Sequence, residues 1–177
     1  MSKQISIEEI KELSSVQINE LCDLLIKVVE DDASIGFLAP LKKDVATEYI
    51  KSVITPSNLL LVAKINEKIV GSVQLELATK QNATHRSEIA KLMTHPDYRR
   101  KGIGRQLMVK AEEIAREHNR SLMILDTRKG DASNYLYQSL GYLEAGQIPN
   151  YALSSTGKLD TTVYYYKVLD QNYLHTF

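Results

Sequence analysis

At 177 residues the chain fits one domain, large enough to bury a core without disulfide or metal staples. Its 22 basic and 22 acidic side chains cancel, which argues against nucleic acid or an anionic membrane as a partner. A single cysteine, no apolar run near ~18 residues, a charged start and four histidines without ligand spacing argue against an internal disulfide, a membrane span, a signal peptide and a metal site, and suggest a soluble cytoplasmic protein.

Ile5 and Ile7 alternate with polar neighbours and predict a short first strand. From Ser14 or Ser15, both plausible caps, Ile18, Leu21, Cys22, Leu25, Ile26 and Val29 recur at three and four, the stripe of a core-facing helix. Cys22 lies in that stripe and reads as a small buried hydrophobe. Residues Asp31 to Pro40 lack either period and predict a loop. A second helix is expected over Lys43 to Val53, with Val45, Tyr49, Ile50 and Val53 on one side. Leu59 to Ile65 and Ile69 to Ala78, separated by Asn66-Glu67-Lys68, predict a hairpin. A polar loop follows, then a strand over Ser87 to Thr94.

That strand leads through His95-Pro96-Asp97-Tyr98 into Arg99-Arg100-Lys101-Gly102-Ile103-Gly104 and then a long amphipathic helix. Its inner face takes Ile103, Leu107, Ala111, Ile114, Ala115 and His118, with Glu112, Glu113, Arg116 and Glu117 outside. Leu122 to Leu125 is fully apolar and predicts a central strand parallel to the one before the helix. Asp131 is placed to cap a short helix reaching Leu140 and ended by Gly141. Tyr142 to Leu153, broken near Pro149, and Thr161 to Leu169 predict two closing strands. Three consecutive tyrosines, Tyr164 to Tyr166, must face both sides of the last one, so at least one belongs to the core.

Strand, glycine turn and helix make an anion site. Two glycines allow backbone N–H groups to face a phosphate, and the helix N-terminus adds orphan donors and about +0.5 of charge. Arg99, Arg100, Lys101 and Arg105 surround the turn. A Walker loop is absent, and a dinucleotide fingerprint would need a third glycine where Leu107 stands. What remains, Arg99-x-x-Gly102-x-Gly104, resembles the pyrophosphate signature of the GCN5-related N-acetyltransferase (GNAT) family. Leu92-Met93-Thr94-His95-Pro96 is similar to the family's cofactor strand, and Asn134 to Tyr142, with Tyr137 and Gly141-Tyr142, to its second signature. The family often has an asparagine where Gly130 stands, and Asn134 is the candidate to replace it as a cofactor contact.

The resemblance implies an α/β fold, α+β in some schemes: a mixed, mostly antiparallel sheet of about seven strands with a splayed central parallel pair, flanked by about four helices. It implies acetyl coenzyme A as cosubstrate, its pantetheine pairing with backbone at Leu92, Met93 and Thr94 and its pyrophosphate held over Arg99, Arg100, Lys101, Gly102, Ile103, Gly104 and Arg105. Transfer needs a neutral amine, and one with pKa ~10.4 is about one part in a thousand neutral near pH 7.4, so a base is useful. Glu88, Asp126 or a water relayed to one of them is the candidate base. Tyr137 matches the family's general acid for the leaving thiolate, and attack is direct, within a ternary complex.

A narrower resemblance, to the tabtoxin-resistance type of acetyltransferase, is carried by Asp32 to Phe37, by Glu88 with Lys91-Leu92-Met93, by Gly104 to Met108, by Leu125-Asp126-Thr127, and by Ile148 to Tyr151 with Gly157-Lys158-Leu159. It implies a small primary amine as acceptor, an amino-acid-like toxin or antibiotic, with Asp31 or Asp32 meeting a cation and Phe37 giving apolar contact. Acetylation of a protein N-terminus or lysine, which would call for an open groove rather than a closed pocket, and a non-catalytic coenzyme A sensor are the alternatives. Family members are often dimers, and a homodimer is an expectation here.

Overall fold

In the computed structural model, which describes residues 4–169, the alternating start of the chain forms β1 (Ser6–Ile10), beginning one residue after Ile5 and running on past Ile7. Helix α1 (Ser15–Glu30) opens on a capping box. The Ser14 hydroxyl accepts from Gln17 N–H at 3.2 Å, and the Gln17 side chain accepts from Ser14 N–H at 3.0 Å. Leu21, Cys22, Leu25 and Val29 are buried along its inner stripe, as the spacing predicts. Helix α2 (Lys43–Ser52) differs by one position: Ala46, one turn before the buried Ile50, faces the core, and Val45 is exposed.

Strands β2 (Asn58–Ile65) and β3 (Lys68–Leu77) form the expected hairpin. Asn66 and Glu67 both have positive φ, +50° and +62°, the signature of a two-residue type I′ turn. β4 (Arg86–Thr94), α3 (Ile103–Glu117) and β5 (Leu122–Arg128) make the strand–helix–strand unit, and β4 and β5 are parallel. A short helix, α4 (Ser133–Ser139), precedes β6 (Leu143–Leu153) and β7 (Leu159–Val168). The Asp131 side chain does not cap α4; it bonds Arg128 Nε at 3.0 Å instead. The register of β6 on β7 slips between Ile148 and Ala152, around Pro149.

The seven strands lie in the order β1-β2-β3-β4-β5-β7-β6, every neighbouring pair antiparallel except β4–β5. Two cores result. One face packs Leu61, Val73, Leu75, Met123 and Leu125 against Leu107, Met108 and Ala111 of α3. The other packs Leu60, Val62 and Ile69 against Leu21, Leu25 and Val29 of α1 and Ile50 of α2. Tyr165 is the buried member of the tyrosine triplet, on the α3 side.

Two positions on α3 depart from the predicted stripe. His118 is exposed, because it caps the helix past its last turn. Glu112 is 5% exposed, drawn inward by Lys167 of β7, whose Nζ donates to both carboxylate oxygens (3.0 and 2.8 Å) and to the Leu140 carbonyl (2.7 Å). The helix lies close on the sheet at Gly71. A Cβ there would meet Ile103 Cγ2 at 2.7 Å and the Met93 carbonyl oxygen at 3.0 Å. Since that carbonyl belongs to the sheet and cannot yield as a side chain can, Gly71→Ala is expected to destabilise the fold by about 1–3 kcal/mol in denaturant titration.

Candidate active site

The sheet opens where its parallel pair should continue. β4 and β5 pair only at Arg86–Leu122, Ser87–Met123 and Glu88–Ile124, although β4 runs on to Thr94 and β5 to Arg128. A bulge in β4 accompanies the parting: Ser72 faces Met93 and Gln74 faces Ala90, with Lys91 at φ +53° between them. Among the described residues the β5-facing edge of β4 has no strand partner past Glu88, so a slot joins the two faces of the sheet.

Ile89, Met123, Leu125 and Tyr137 belong to the α3-side core. Strand alternation therefore sets Glu88 and Asp126 on the opposite, α1–α2 face. The two carboxylates approach the slot from one side and the tyrosine from the other. Burial, then the charges of Glu76 and Asp126, push the Glu88 carboxyl above its usual range; Glu76 stands directly opposite it on β3. Asp126 accepts from the Thr162 hydroxyl at 2.7 Å and lies opposite Tyr164. The Tyr164 hydroxyl shares a 2.8 Å hydrogen bond with Tyr151, which raises its pKa, as do burial and the Asp126 charge. Tyr137 is 5% exposed, packed near Tyr142 and Tyr165 (centroids 6.0 and 6.1 Å), and its hydroxyl makes no hydrogen bond among the described residues. Burial first, and the Asp126 charge second, raise its pKa strongly, so the phenol keeps its proton at neutral pH.

The glycine turn follows a 3₁₀ turn, Pro96–Tyr98, and is concave. Arg100 (φ +59°) and Gly102 (φ +77°) both adopt the left-handed conformation, two residues apart, which makes neighbouring N–H groups converge. Gly102 caps α3 without a side chain, so the helix's first N–H groups remain available to an anion. The two glycines differ in their task. A Cβ on Gly102 would enter open space but strain the backbone, whereas one on Gly104 would crowd Leu136 Cδ2 of α4 at 3.2 Å. Leu92 and Thr94 flank Gly104, and Met93 packs into the α1–α2 core. Of the cations, Arg105 donates to the Ser139 hydroxyl (2.6 Å), Lys101 sits 4.9 Å over the Tyr98 ring, and Arg99 pairs with Asp31 at 2.5 Å.

Asn134 is turned to the fold itself. Its amide donates to the carbonyls of Arg128 (2.9 Å) and Asp131 (2.8 Å), and its side-chain oxygen accepts from the Tyr165 hydroxyl (2.9 Å). The loop 31–40 forms a wall over the α1–α2 side of the slot. Phe37 packs edge-on against Tyr49 with centroids 5.0 Å apart, and Tyr49 holds Gln74 at 2.9 Å. Asp32 meets a cation within the chain, Arg128, at 3.3 Å, and its carbonyl accepts from the same guanidinium at 2.8 Å. Arg128 also pairs with Asp131 and with Asp160 of β7, and Ala39 N–H donates to the Ser155 hydroxyl at 2.9 Å. Loop 31–40 and the β6–β7 hairpin are thereby tied together above the slot. Between them lies a cavity of about 260 Å³ lined by residues that include Gly36, Phe37, Arg128 and Leu153.

Sequence reasoning missed Glu76, Arg128, Tyr151 and Tyr164 as members of this cleft. The register of the hairpin, once extended to β4, would have found Glu76 opposite Glu88; the others depend on how β7 and β6 fold back across β5.

The model of the acetyltransferase (GNAT) family matches residues 25–142. An uncharacterized N-acetyltransferase from the hisH-hisA intergenic region of Azospirillum brasilense is 28% identical over 128 residues, covering 71% of this chain and 76% of that protein. Two solved structures share the fold. The ribosomal-protein-alanine N-acetyltransferase of Brucella melitensis superposes with a TM-score of 0.78 at 21% identity, over 92% of this chain and 99% of its own. A Salmonella typhimurium protein solved with its cofactor acetyl-CoA does so at 0.77 and 18%, over 94% and 95%. With the matched segment covering every element from α2 to α4, the glycine turn included, this chain belongs to the GNAT family and is an acetyl-CoA-dependent N-acetyltransferase.

Proposed function

We propose that the chain acetylates the primary amine of a small molecule, in the manner of the tabtoxin-resistance type. The observation that carries this reading is the tie between the two walls of the acceptor cleft. Ala39 to Ser155, and Asp32 through Arg128 to Asp160, close the path an extended peptide would need.

The residues divide the work by face. The pyrophosphate of the donor sits in the concave turn at Arg99 to Arg105, and its pantetheine lies along the free edge of β4 at Leu92 to Thr94. The acceptor enters from the α1–α2 side, beneath Phe37 and loop 31–40. Glu88 and Asp126 hold its ammonium and take up a proton, directly or through water. The freed nitrogen lone pair attacks the thioester carbonyl, the C–S bond breaks, and the leaving sulfur receives a hydrogen bond and then a proton from Tyr137; the nitrogen gives up its second proton to water, and Tyr137 regains its own from solvent.

Thiol release with acetyl-CoA over a panel of small amines and of short peptides with free N-termini tests the proposal. Small amines are expected to be turned over with the higher kcat/KM; a clear preference for peptides would overturn it in favour of a protein substrate. A coenzyme A sensor would instead bind the donor and accelerate no amine.

With Glu88 as base, the acid limb of kcat/KM falls above the ordinary carboxylate range, because the charged form is the active one and its pKa is raised. Glu76→Gln removes a neighbouring negative charge, which favours ionised Glu88. The limb is expected to move to lower pH in a rate profile measured from pH 5 to 9.

The expected homodimer has a place in the same reading. β6 is an edge strand that exposes Leu143, Ile148 and Leu153, and we assign it to pairing with a second copy of the chain. Sedimentation of the wild type and of Leu153→Lys checks this; the lysine is expected to give a monomer.

A further inference from the structure

Lys91 is out of place by its own strand's rule. Ile89 belongs to the α3-side core and Leu92 packs against the same core. Without the bulge, alternation would carry position 91 to that side as well. Instead the chain takes an extra residue there, and a lysine holds the left-handed conformation at φ +53°, which costs an L-residue with a Cβ on the order of 1 kcal/mol. The side chain emerges under loop 31–40. A Cβ built on Gly36 would lie only 3.4 Å from Lys91 Nζ, and Gly36 itself has φ +88°, so the loop's one glycine is where the ammonium approaches.

Arg86 also acts on Glu88 but stands in the paired part of β4; the cations that loop 31–40 meets are neutralised. Arg128 faces Asp32, Asp131 and Asp160, and Arg99 faces Asp31. Lys91 makes no ion pair or side-chain hydrogen bond among the described residues, although it lies close enough to Glu88 for its charge to act on that carboxyl. A half-buried ammonium beside the acceptor site disfavours a plain amine and favours one that brings its own negative charge.

We infer that Lys91 determines specificity by binding a carboxylate of the acceptor, whose amine is held at Glu88 and Asp126, so that the substrate class is amino acids and amino-acid-like molecules. This rests on the proposed small-molecule reading and sharpens it. A zwitterion presents its two ends to the two signs that the cleft already separates along β4.

The test uses matched pairs, each α-, β- and γ-amino acid against its own amide, with thiol release from acetyl-CoA as the readout. The wild type is expected to favour the acid over its amide at least tenfold in kcat/KM. Lys91→Met is expected to bring the ratio near one, chiefly by raising KM for the acid, and Lys91→Arg to keep most of the preference. Calorimetric binding of coenzyme A to each variant confirms that the donor site is intact. A wild type indifferent to the carboxylate, or a preference that survives Lys91→Met, overturns the inference. Turnover of amines without any acid among them overturns it and leaves the small-molecule reading standing; peptides alone, or no amine at all, overturns both.

Discussion

Tyr137→Phe is expected to lower kcat about a hundredfold while coenzyme A binds within about twofold of the wild type. The phenol is almost fully buried, and burial together with the Asp126 charge holds its proton in place across the working pH range. In the proposed reaction it therefore acts as a donor throughout. As the C–S bond lengthens, charge grows on a sulfur whose thiol has an intrinsic pKa near that of cysteine, about 8.5. Complete transfer from so weak an acid is uphill, so the larger part of the effect lies in the hydrogen bond given to the developing thiolate; removing a positioned acid of this kind costs typically 10²–10⁴ in rate. The phenylalanine keeps the packing against Tyr142 and Tyr165, so the loss belongs to the hydroxyl. Pre-steady-state thiol release checks it: a step slowed less than fivefold would remove Tyr137 from the chemistry.

Lys167→Met carries the largest expected effect on stability. It leaves Glu112 buried with only the more distant Arg116, at 3.7 Å, and strips the Leu140 carbonyl of its donor. Breaking a buried pair on one side costs about 3–5 kcal/mol, and the remaining arginine sets the expectation at the lower end. For a chain of this length each kcal/mol moves Tm by about 2–4 °C, so a fall of roughly 6–12 °C is expected in a calorimetric scan. The double variant Glu112→Leu with Lys167→Met is expected to recover most of it, because the cost lies in the charge left alone. If the single and double variants melt together, the pair is not what holds α3 to β7.

These two cases mark the boundary of what could be read from the chain. Tyr137 could be nominated from the chain, since it stands in a local pattern that ends at Gly141-Tyr142. Glu112 was not: helical periodicity sees only its own helix, and the residue that draws it inward is 55 positions away. The same limit explains the rest. The stripes of α1 and α3, the type I′ hairpin and the parallel unit around the glycine turn are written in short-range patterns. Val45 shows how a stripe can be displaced by one residue where the sequence offers Ala46 as a smaller alternative. The bulge at Lys91 and the left-handed Arg100 have no glycine or proline to announce them, and the Arg128 clasp joins three segments that meet only in three dimensions: its own, loop 31–40 and β7. At the site, the cations, carboxylates and tyrosine could be named in advance, but not their division between the two faces of the sheet. Asp31 and Asp32, expected to meet a cation, meet Arg99 and Arg128 of the chain itself.

In the proposed binding mode, the three-rung ladder between β4 and β5 makes the donor a structural component. Where two strands part, their amides exchange with solvent freely, and a ligand that lies along the open edge supplies the missing partners. Deuterium uptake across Ala90 to Thr94 then reports occupancy directly, with protection appearing when coenzyme A is added. By mass action, a donor at a hundred times its Kd adds about 2.7 kcal/mol to the folded state. With the donor placed along β4 as proposed, the protein carries an incomplete sheet and finishes it with its own substrate, so its resistance to unfolding is expected to follow the supply of the coenzyme.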